Sequence, residues 1–174
     1  MADLSINTIK SYLTTHQPVL SNKFTVKVDK RIGRLDSIDF SCTNVNLPGY
    51  TFSTNPHTGI PGPDVKFPYQ VAYEDAILSF MTTGNLTERR YFERWMDAVS
   101  TKPDNSYGYS KFGYRKNYAV SVEISTLDNT GIENYTVTLQ NCYPIGLQAV
   151  ELNHANEAIM LTNVTLTYSH FLSN

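Results

Sequence analysis

Residues 76–99 read AILSFMTTGNLTERRYFERWMDAV and place a strand pattern directly before a helix pattern. Every second residue from Ala76 to Phe80 is apolar, which predicts a strand with one buried face. Asn85 is a favourable helix N-cap residue, and Glu88 follows it at the spacing of a capping pair. The stretch therefore predicts a strand, a short turn and a capped helix.

The predicted helix has an apolar side and a charged side. The apolar side, with Phe92, Trp95 and Met96 at its centre, should face the core. The charged side is usually solvated, but it could dock a partner, because mixed charges give an interface specificity more than affinity. Its members are Arg89, Arg90, Glu93, Arg94 and Asp97.

Alternating apolar and polar residues predict one hairpin on each side of this stretch. The first hairpin joins residues 24–28 to residues 38–42 through a turn at 29–34. The second joins residues 118–125 to 135–139 through a turn at Asp128–Gly131. The chain therefore has strands both before and after its long helix.

Beyond the second hairpin, Tyr143-Pro144 should end the returning strand, and residues 160–171 predict a last strand. One long helix cannot cover a sheet on both faces, so the strands must pack on each other. The predicted fold is mainly β, a sandwich or barrel of about six or more antiparallel strands with one flanking amphipathic helix.

Two segments lie outside this pattern. Residues 5–15 have apolar residues at helical spacing and predict a short amphipathic helix that Pro18 ends. We therefore divide the chain into an N-terminal segment, residues 1–17, and a single domain, residues 18–174. Residues 50–68 are rich in proline and glycine, which predicts a long loop in place of a helix or central strand. Loops of that length often carry function.

Composition argues against several classes of function. The chain has 14 basic and 16 acidic residues, a net charge of −2, so it lacks the basic surface typical of a nucleic-acid-binding domain. The four histidines have no metal-ligand spacing, and no catalytic or phosphate-binding motif is present. Cys42 and Cys142 fit free thiols, although a disulfide between them stays open. No segment is long enough for a membrane span, and the N-terminus does not resemble a signal peptide.

Two further groups could carry chemistry. Glu74 and Asp75 are adjacent carboxylates, but neighbours on a strand point to opposite faces, so we interpret them as a solvated strand edge. The segment 107–118 mixes aromatic residues with Lys111, Arg115 and Lys116, which could stack bases and hold phosphates. With so few basic residues, packing on the same subunit or a neighbour is the preferred interpretation.

Five short motifs also follow one another along the chain. They are Pro18-Val-Leu-Ser-Asn-Lys-Phe-Thr-Val-Lys-Val, Asp39-Phe-Ser-Cys-Thr-Asn-Val-Asn-Leu-Pro-Gly, Ala76-Ile-Leu-Ser-Phe-Met with Arg90-Tyr-Phe-Glu-Arg-Trp, Tyr114-Arg-Lys, and Asn141-Cys-Tyr-Pro-Ile-Gly. No single motif is specific, but their order and spacing over residues 18–172 resemble those of the tail tube proteins of contractile-tailed bacteriophages.

The resemblance implies a virion structural protein without enzymatic activity or cofactor, assembled in the host cytoplasm. Hexameric rings would stack into a hollow conduit for DNA inside a sheath. The implied protein partners are other copies of the chain, the tail sheath protein, the baseplate tube-initiator, the tail terminator and a tape measure protein in the lumen. Double-stranded DNA would pass through the lumen without specific binding, and no contact with a membrane is implied.

The resemblance also assigns surfaces. The helix would lie outside, with its charged side toward the sheath, and the 44–68 loop would reach a neighbouring subunit or ring. The candidate contact residues in and beside that loop are Leu47, Pro48, Gly49, Tyr50, Pro61, Gly62, Pro63 and Asp64. The lumen wall should be polar or acidic so that DNA slides without sticking. Residues that should face away from the core are Lys23, Thr25, Lys27, Ala119, Ser121 and Glu123.

Two alternatives remain open on the sequence. One is a related role, as a baseplate tube-initiator or as the tube of a secretion system or tailocin, which the N-terminal segment 1–17 would suit. The other is a β-sandwich module that binds carbohydrate through Tyr107, Tyr109, Phe112 and Tyr114.

Overall fold

The computed structural model describes residues 6–15, 19–29, 31, 41–57, 65–101, 111–150, 152–154 and 158–174. The helices in these ranges are α1 (Ile6–Thr15), α2 (Thr87–Val99) and α3 (Arg115–Tyr118). The strands are β1 (Phe24–Val28), β2 (Cys42–Val45), β3 (Tyr50–His57), β4 (Val65–Tyr73), β5 (Ala76–Met81), β6 (Ser100–Thr101), β7 (Lys111–Phe112), β8 (Val120–Leu127), β9 (Glu133–Leu147), β10 (Leu161–Thr167) and β11 (His170–Ser173).

Seven of these strands form one antiparallel sheet in the order β1-β8-β9-β10-β5-β2, with β11 also paired to β9. We call the part built from β1, β8, β11 and the first part of β9 sheet A. Sheet B consists of the rest of β9 with β10, β5 and β2. The prediction of a mainly β fold is confirmed, and β9 is the strand that the two sheets share.

A bulge at Asn141 explains how β9 serves both sheets. Val122 pairs with Leu139, but Val120 pairs with Cys142, so β9 contains one more residue than β8 between these pairs. Asn141 has a φ of 53°, which bends the strand at this point. Beyond the bend, β9 takes β10 as its new partner, so it can pass from one sheet to the other.

The prediction that Tyr143-Pro144 ends the second hairpin is wrong. The strand continues through both residues to Leu147, now beside β10. A second register shift falls between Thr165 and Leu166 of β10, beside Pro144. A proline lacks the N–H that a regular ladder needs, so it is tolerated where the ladder is already interrupted.

The core lies between sheets A and B. Sheet A contributes the fully buried Val26, Val122, Ile124 and Leu139, and sheet B contributes Leu78, Phe80, Val164 and Leu166. Helix α2 adds Phe92 and Trp95, both 0% exposed, while Met96 is half-buried. The rings of Phe80 and Phe92 are 5.0 Å apart, so the helix is joined directly to the core of sheet B.

The helix does not begin as the sequence predicts. Its N-cap residue is Leu86, with a φ of 56°, and no side chain caps it. Asn85 is therefore not the cap. Instead, the Glu88 carboxylate reaches back and accepts hydrogen bonds from the backbone N–H and the hydroxyl of Thr83, both at 3.0 Å. A charged acceptor near the first turn suits the helix dipole, which explains why the helix forms without an Asn85 cap.

The second hairpin is confirmed, whereas the described strands on the two sides of the first predicted turn pair with other strands. β8 and β9 pair around a turn in which Gly131, with a φ of 83°, donates to the carbonyl of Asp128 at 3.0 Å. In contrast, β1 pairs with β8, and β2 pairs with β5. The register of β1 places Val26 opposite Ile124, and both side chains are buried in the core. Residues 32–40, which the predicted hairpin also used, lie outside the described residues.

Smaller differences occur near the ends of elements. Helix α1 is confirmed, although Pro18 lies outside the described residues. Tyr118 belongs to α3, so the strand predicted from residue 118 begins at Val120. The predicted last strand is divided into β10 and β11, which pair with different parts of β9.

Candidate assembly surface

The predicted loop at 50–68 is largely a β-hairpin. β3 and β4 pair from Tyr50↔Tyr73 to His57↔Val65 and form a two-stranded sheet of their own. We call this hairpin the arm. Its density of proline misled the prediction, because Pro68 lies at a register shift where a missing N–H does little harm. The nine residues of β4 give the arm a length of about 30 Å.

The arm exposes large apolar side chains along its whole described length. They are Tyr50, Phe52, Val65, Phe67, Tyr69, Val71 and Tyr73, with exposed fractions between 39% and 69%. None belongs to the buried core cluster. A soluble monomer rarely exposes so many large apolar groups next to each other, so this surface indicates a protein interface.

An aromatic cluster fixes the base of the arm to the domain. The ring of Tyr73 lies 5.8 Å from that of Phe171 and 6.0 Å from that of Tyr168, and Tyr50 lies 5.9 Å from Phe171. The Tyr168 hydroxyl donates a 2.6 Å hydrogen bond to the carbonyl of Glu74. Burial, with a smaller effect of nearby carboxylates, raises the pKa of Tyr168 to about 12, so this donor keeps its proton.

The predicted contact residues fall at two ends of the arm. Leu47, Pro48 and Gly49 lead into its base, where the Gly49 carbonyl accepts a 3.3 Å hydrogen bond from the Glu74 N–H. Tyr50 is the first arm residue and is 53% exposed. The other four, Pro61, Gly62, Pro63 and Asp64, lie outside the described residues.

The outer face of sheet A is largely polar, with Leu172 of β11 as an exposed apolar residue. Pairing places Lys27 beside Glu123, Thr25 beside Ser125, and Ser125 beside Thr136. Lys27 forms an ion pair with Glu133, and Lys23 donates 3.1 Å hydrogen bonds to Asn129. The two lysines are accompanied by two glutamates, so this face carries little net charge. Ala119 from the predicted outward set is instead buried, because it lies before β8 at the end of α3.

Strands at the margins of the two sheets have unpaired edges within the described residues. β1 and β11 are the margins of sheet A, and β2 and the second part of β9 are the margins of sheet B. A groove of about 580 Å³ lies between β1 and β2, lined by Phe24, Val45 and Glu74 among others. Open strand edges and a groove with both apolar and polar lining are surfaces that a neighbouring chain can complete.

Part of the charged side of α2 is used within the subunit. Arg89 pairs with Glu93 at 3.0 Å and donates a 3.3 Å hydrogen bond to the carbonyl of Gln148. Arg90 and Arg94 are exposed, and Asp97 is half-buried. The five predicted side chains therefore do not form one uniform exposed surface. The two exposed arginines are the part of this side that faces outward.

Glu88 is the most buried charged residue of the helix, with no exposed surface. Burial acts to raise the pKa of this carboxyl, but hydrogen bonds from Thr83 and from its own backbone N–H outweigh burial and lower it. The group thus stays ionised at neutral pH and fixes the turn between β5 and α2. Its Oε1 atom has no hydrogen-bond partner.

Trp95 anchors the other end of the helix. Its Nε1–H donates a 2.8 Å hydrogen bond to the carbonyl of Tyr118, and its ring is stacked 6.2 Å from that of Phe92. Gly113 lies close by, and a Cβ there would come within 2.8 Å of the Ala98 carbonyl. Only glycine permits this close approach of the chain to the helix end.

Histidine, cysteine and acidic residues are the side chains that most often bind metal ions. No group of three histidine, cysteine or acidic side chains in the described ranges could hold a metal ion. Cys42 and Cys142 are both free, and burial raises their pKa values to about 11 and about 12. Arg115, one of the basic residues of the segment 107–118, donates a hydrogen bond to the Ser169 hydroxyl and lies over the Tyr143 ring. In the part of the chain that is described, no helix has the length and apolar character needed to span a membrane.

The phage tail tube protein family matches residues 8–174 of this chain. The chain belongs to that family. It is therefore a structural subunit of a tail tube, and a component of a phage-like particle. The family match also covers the arm, the polar sheet and the α2 helix described above, so these features are parts of a tube subunit.

Solved structures show the same fold at low sequence identity. One chain of an extracellular contractile injection system, the PVC sheath–tube complex in the extended state, has a TM-score of 0.67 and 16% identity over 94% of this chain and 96% of that chain. A chain of the anti-feeding prophage baseplate has a TM-score of 0.68 and 15% identity over 91% and 96% of the two chains. No curated protein sequence matches significantly.

Sequence reasoning missed most of the arm. A usable signal was present, because Val65, Phe67, Tyr69, Val71 and Tyr73 occupy every second position of a segment. That alternation is the pattern of a strand with one apolar face. The prolines and glycines around it favour a loop, and this second signal conceals the strand.

Proposed function

We propose that this tail tube subunit forms hexameric rings that stack into the hollow tube of a contractile tail, through which DNA leaves the particle. The observation that carries the proposal is the arm, whose large apolar side chains lie outside the buried core cluster and stay between 39% and 69% exposed. In a polymer of identical chains, other copies provide the missing cover.

Ring closure would use the open margins of the sheets. Pairing of β11 or β1 with a neighbouring copy extends sheet A from one subunit to the next. Continued around a ring, this gives a closed barrel in which no strand edge stays exposed. Closure explains why the described part of the chain leaves these margins unpaired.

We further propose that the outer face of sheet A forms the lumen wall. Most of its side chains are polar, among them Thr25, Thr136 and Thr138, and its lysines are accompanied by Glu123 and Glu133. A wall with little net charge neither repels DNA strongly nor binds its phosphates. A tape measure protein would occupy the same lumen before DNA passes.

The exposed arginines of α2, Arg90 and Arg94, would face a surrounding sheath protein. Structures of similar fold come from contractile systems in which a sheath, a baseplate and a terminating cap are named. These names support a sheath, a baseplate tube-initiator and a terminator as partners here. In this role the chain works mechanically and not as an enzyme, and it would assemble in the host cytoplasm.

The experiment is to purify the chain and determine its state by native mass spectrometry and negative-stain electron microscopy. The proposal predicts hexamers and stacked tubes with a central channel. A variant in which a short turn replaces residues 52–71 should remain folded but form no tubes. Wild-type protein that stays monomeric at high concentration would contradict the proposal.

A related role, that of tube-initiator, has one observation in its favour. Helix α1 precedes the domain and exposes Ile6, Ile9 and Tyr12, which suits an additional contact at the baseplate. Copy number in purified particles separates the two roles, because an initiator forms one ring and a tube subunit forms many. The carbohydrate-binding alternative has no such support: Tyr107 and Tyr109 lie outside the described residues, and the family is one of tube proteins.

A further inference from the structure

The register of the arm changes in its middle. Ser53 pairs with Gln70, but the next residue of β3, Thr54, pairs with Pro68. Tyr69 is therefore an extra residue on β4. Side chains alternate between the two faces of a regular strand. The extra residue interrupts this alternation, so side chains of β4 before and after Tyr69 that would share a face in a regular strand lie on opposite faces.

The half of the arm next to the domain, which we call the base half, has its apolar residues on one face. Tyr50 and Phe52 of β3 are two residues apart and pair with Tyr73 and Val71 of β4. Directly opposed residues of an antiparallel pair share a face. Phe52 is 57% exposed and Val71 is 41% exposed, so this face extends beyond the aromatic cluster that holds the arm.

The tip half has its apolar residues on the other face. Phe67 pairs with Asn55, and Asn55 shares its face with Ser53, not with Phe52. Val65, two residues before Phe67 in β4, lies on the same face. Phe67 is 58% exposed and Val65 is 55% exposed. The apolar surface of the arm thus changes sides at Tyr69.

We propose that the two halves of the arm bind two different copies of this chain. The base half would contact the neighbour in the same ring, and the tip half would contact a copy in the next ring. This inference rests on the proposed function, because it assumes a tube of stacked rings, and it adds which residues make each contact.

The assignment of the base half follows from its surroundings. Its face packs on Phe171 of β11, which is a margin of sheet A. A neighbour that extends sheet A within the ring would meet this margin, and Phe52 and Val71 would lie beside the same contact. One apolar surface would then run from β11 onto the arm.

The tip half cannot belong to that contact. Val65 lies eight residues from Tyr73 along β4, about 25 Å from the base of the arm, and its side chain is on the opposite face. A single flat neighbour cannot cover both apolar faces. The tip half therefore needs a copy on the other side of the arm, which the next ring supplies.

The experiment compares two double variants. Phe52→Ser with Val71→Thr changes the base half, and Phe67→Ser with Val65→Thr changes the tip half. Matched controls place substitutions on the opposite, polar face of each half: Thr51→Asn for the base and Thr54→Asn for the tip. Native mass spectrometry measures rings, electron microscopy measures tubes, and thermal unfolding confirms that each variant is folded.

The base-half variant should lose hexamers and tubes together, whereas the tip-half variant should form hexamers that do not stack. Both controls should form tubes like the wild type. Insertion of one serine between Ser53 and Thr54, which would pair with Tyr69 and bring Phe67 and Val65 to the face of Val71, should also give hexamers without tubes. Loss of the same step in both double variants, or the reverse pattern, would overturn the inference. Wild-type protein that forms neither rings nor tubes would instead contradict the proposed function.

Discussion

The Tyr168 hydroxyl and the Glu74 carbonyl are joined by a 2.6 Å hydrogen bond between the last part of the chain and the segment that follows the arm. Tyr168 is 9% exposed and belongs to the core cluster, whereas Glu74 is exposed beside the end of β4. This bond, with the aromatic cluster around Tyr73, ties a projecting hairpin to a rigid core. An arm with a fixed base can hold its apolar faces ready for other copies.

Tyr168→Phe should destabilise the domain by about 1 kcal/mol, since the substitution removes one hydrogen bond and keeps the ring. The backbone amides of the arm should also exchange hydrogen faster, because their anchor is weaker. Urea unfolding and hydrogen exchange measure the two effects. Unchanged exchange in the arm would show that the ring contacts alone fix its base.

Trp95→Ala should cost about 3–5 kcal/mol in unfolding free energy, because the side chain is fully buried. The matched variant Trp95→Phe keeps an aromatic ring but loses the bond to the Tyr118 carbonyl, and it should cost about 1–2 kcal/mol. Chemical denaturation at neutral pH measures both. Equal losses in the two variants would mean that ring packing contributes little to this site.

Glu88 should make stability depend on pH in the acid range. Its folded pKa is lowered from the ordinary value of 4.5, so its contribution is complete above that value and is lost as pH falls through the folded pKa. Wild-type stability should therefore fall more steeply below about pH 4.5 than that of Glu88→Gln. Parallel urea midpoints for the two proteins between pH 7 and pH 3 would contradict this role.

Arg94→Glu should leave rings and tubes intact while weakening assembly of the sheath around them, because Arg94 is exposed on α2. Lys116→Glu, an equal change of charge at an exposed residue of α3, serves as the control. Co-sedimentation of tubes with the sheath protein of the same particle measures the effect. If both variants bind the sheath like the wild type, this side of the helix is only solvated.

Cys142 should resist alkylation in the folded protein, because it is fully buried and burial raises its pKa to about 12. Cys42 is half-buried, with a pKa raised to about 11, and should react slowly but faster than Cys142. Iodoacetamide labelling followed by mass spectrometry, with urea-unfolded protein as the control, measures both rates. Fast labelling of Cys142 in native protein would show that the core opens often.

Much of the fold could be predicted from the sequence where one physical rule acted alone. The alternation in β5, β8 and β10 and the apolar stripe of α2 each correspond to buried faces of the structure. The pairing of β1 was harder to predict, because alternation identifies a strand but not its partner. β1 joined the distant β8, whose Ile124 pairs with its buried Val26.

The assembly surface was harder to predict because two rules conflicted. In β4, regular apolar alternation indicated a strand, and Pro68 argued against one. The conflict is resolved by a bulge beside the proline, which a sequence pattern does not reveal. Residues 143–147 of β9 are a similar case, since Pro144 lies at a register shift and the strand continues past it.

A cryo-electron microscopy map of tubes assembled from the purified chain tests the central claim most directly. The account predicts hexameric rings in which Phe52 and Phe67 are buried against different copies and the outer face of sheet A lines the channel. A map in which the arm remains in solvent, or in which sheet A faces outward, would contradict it.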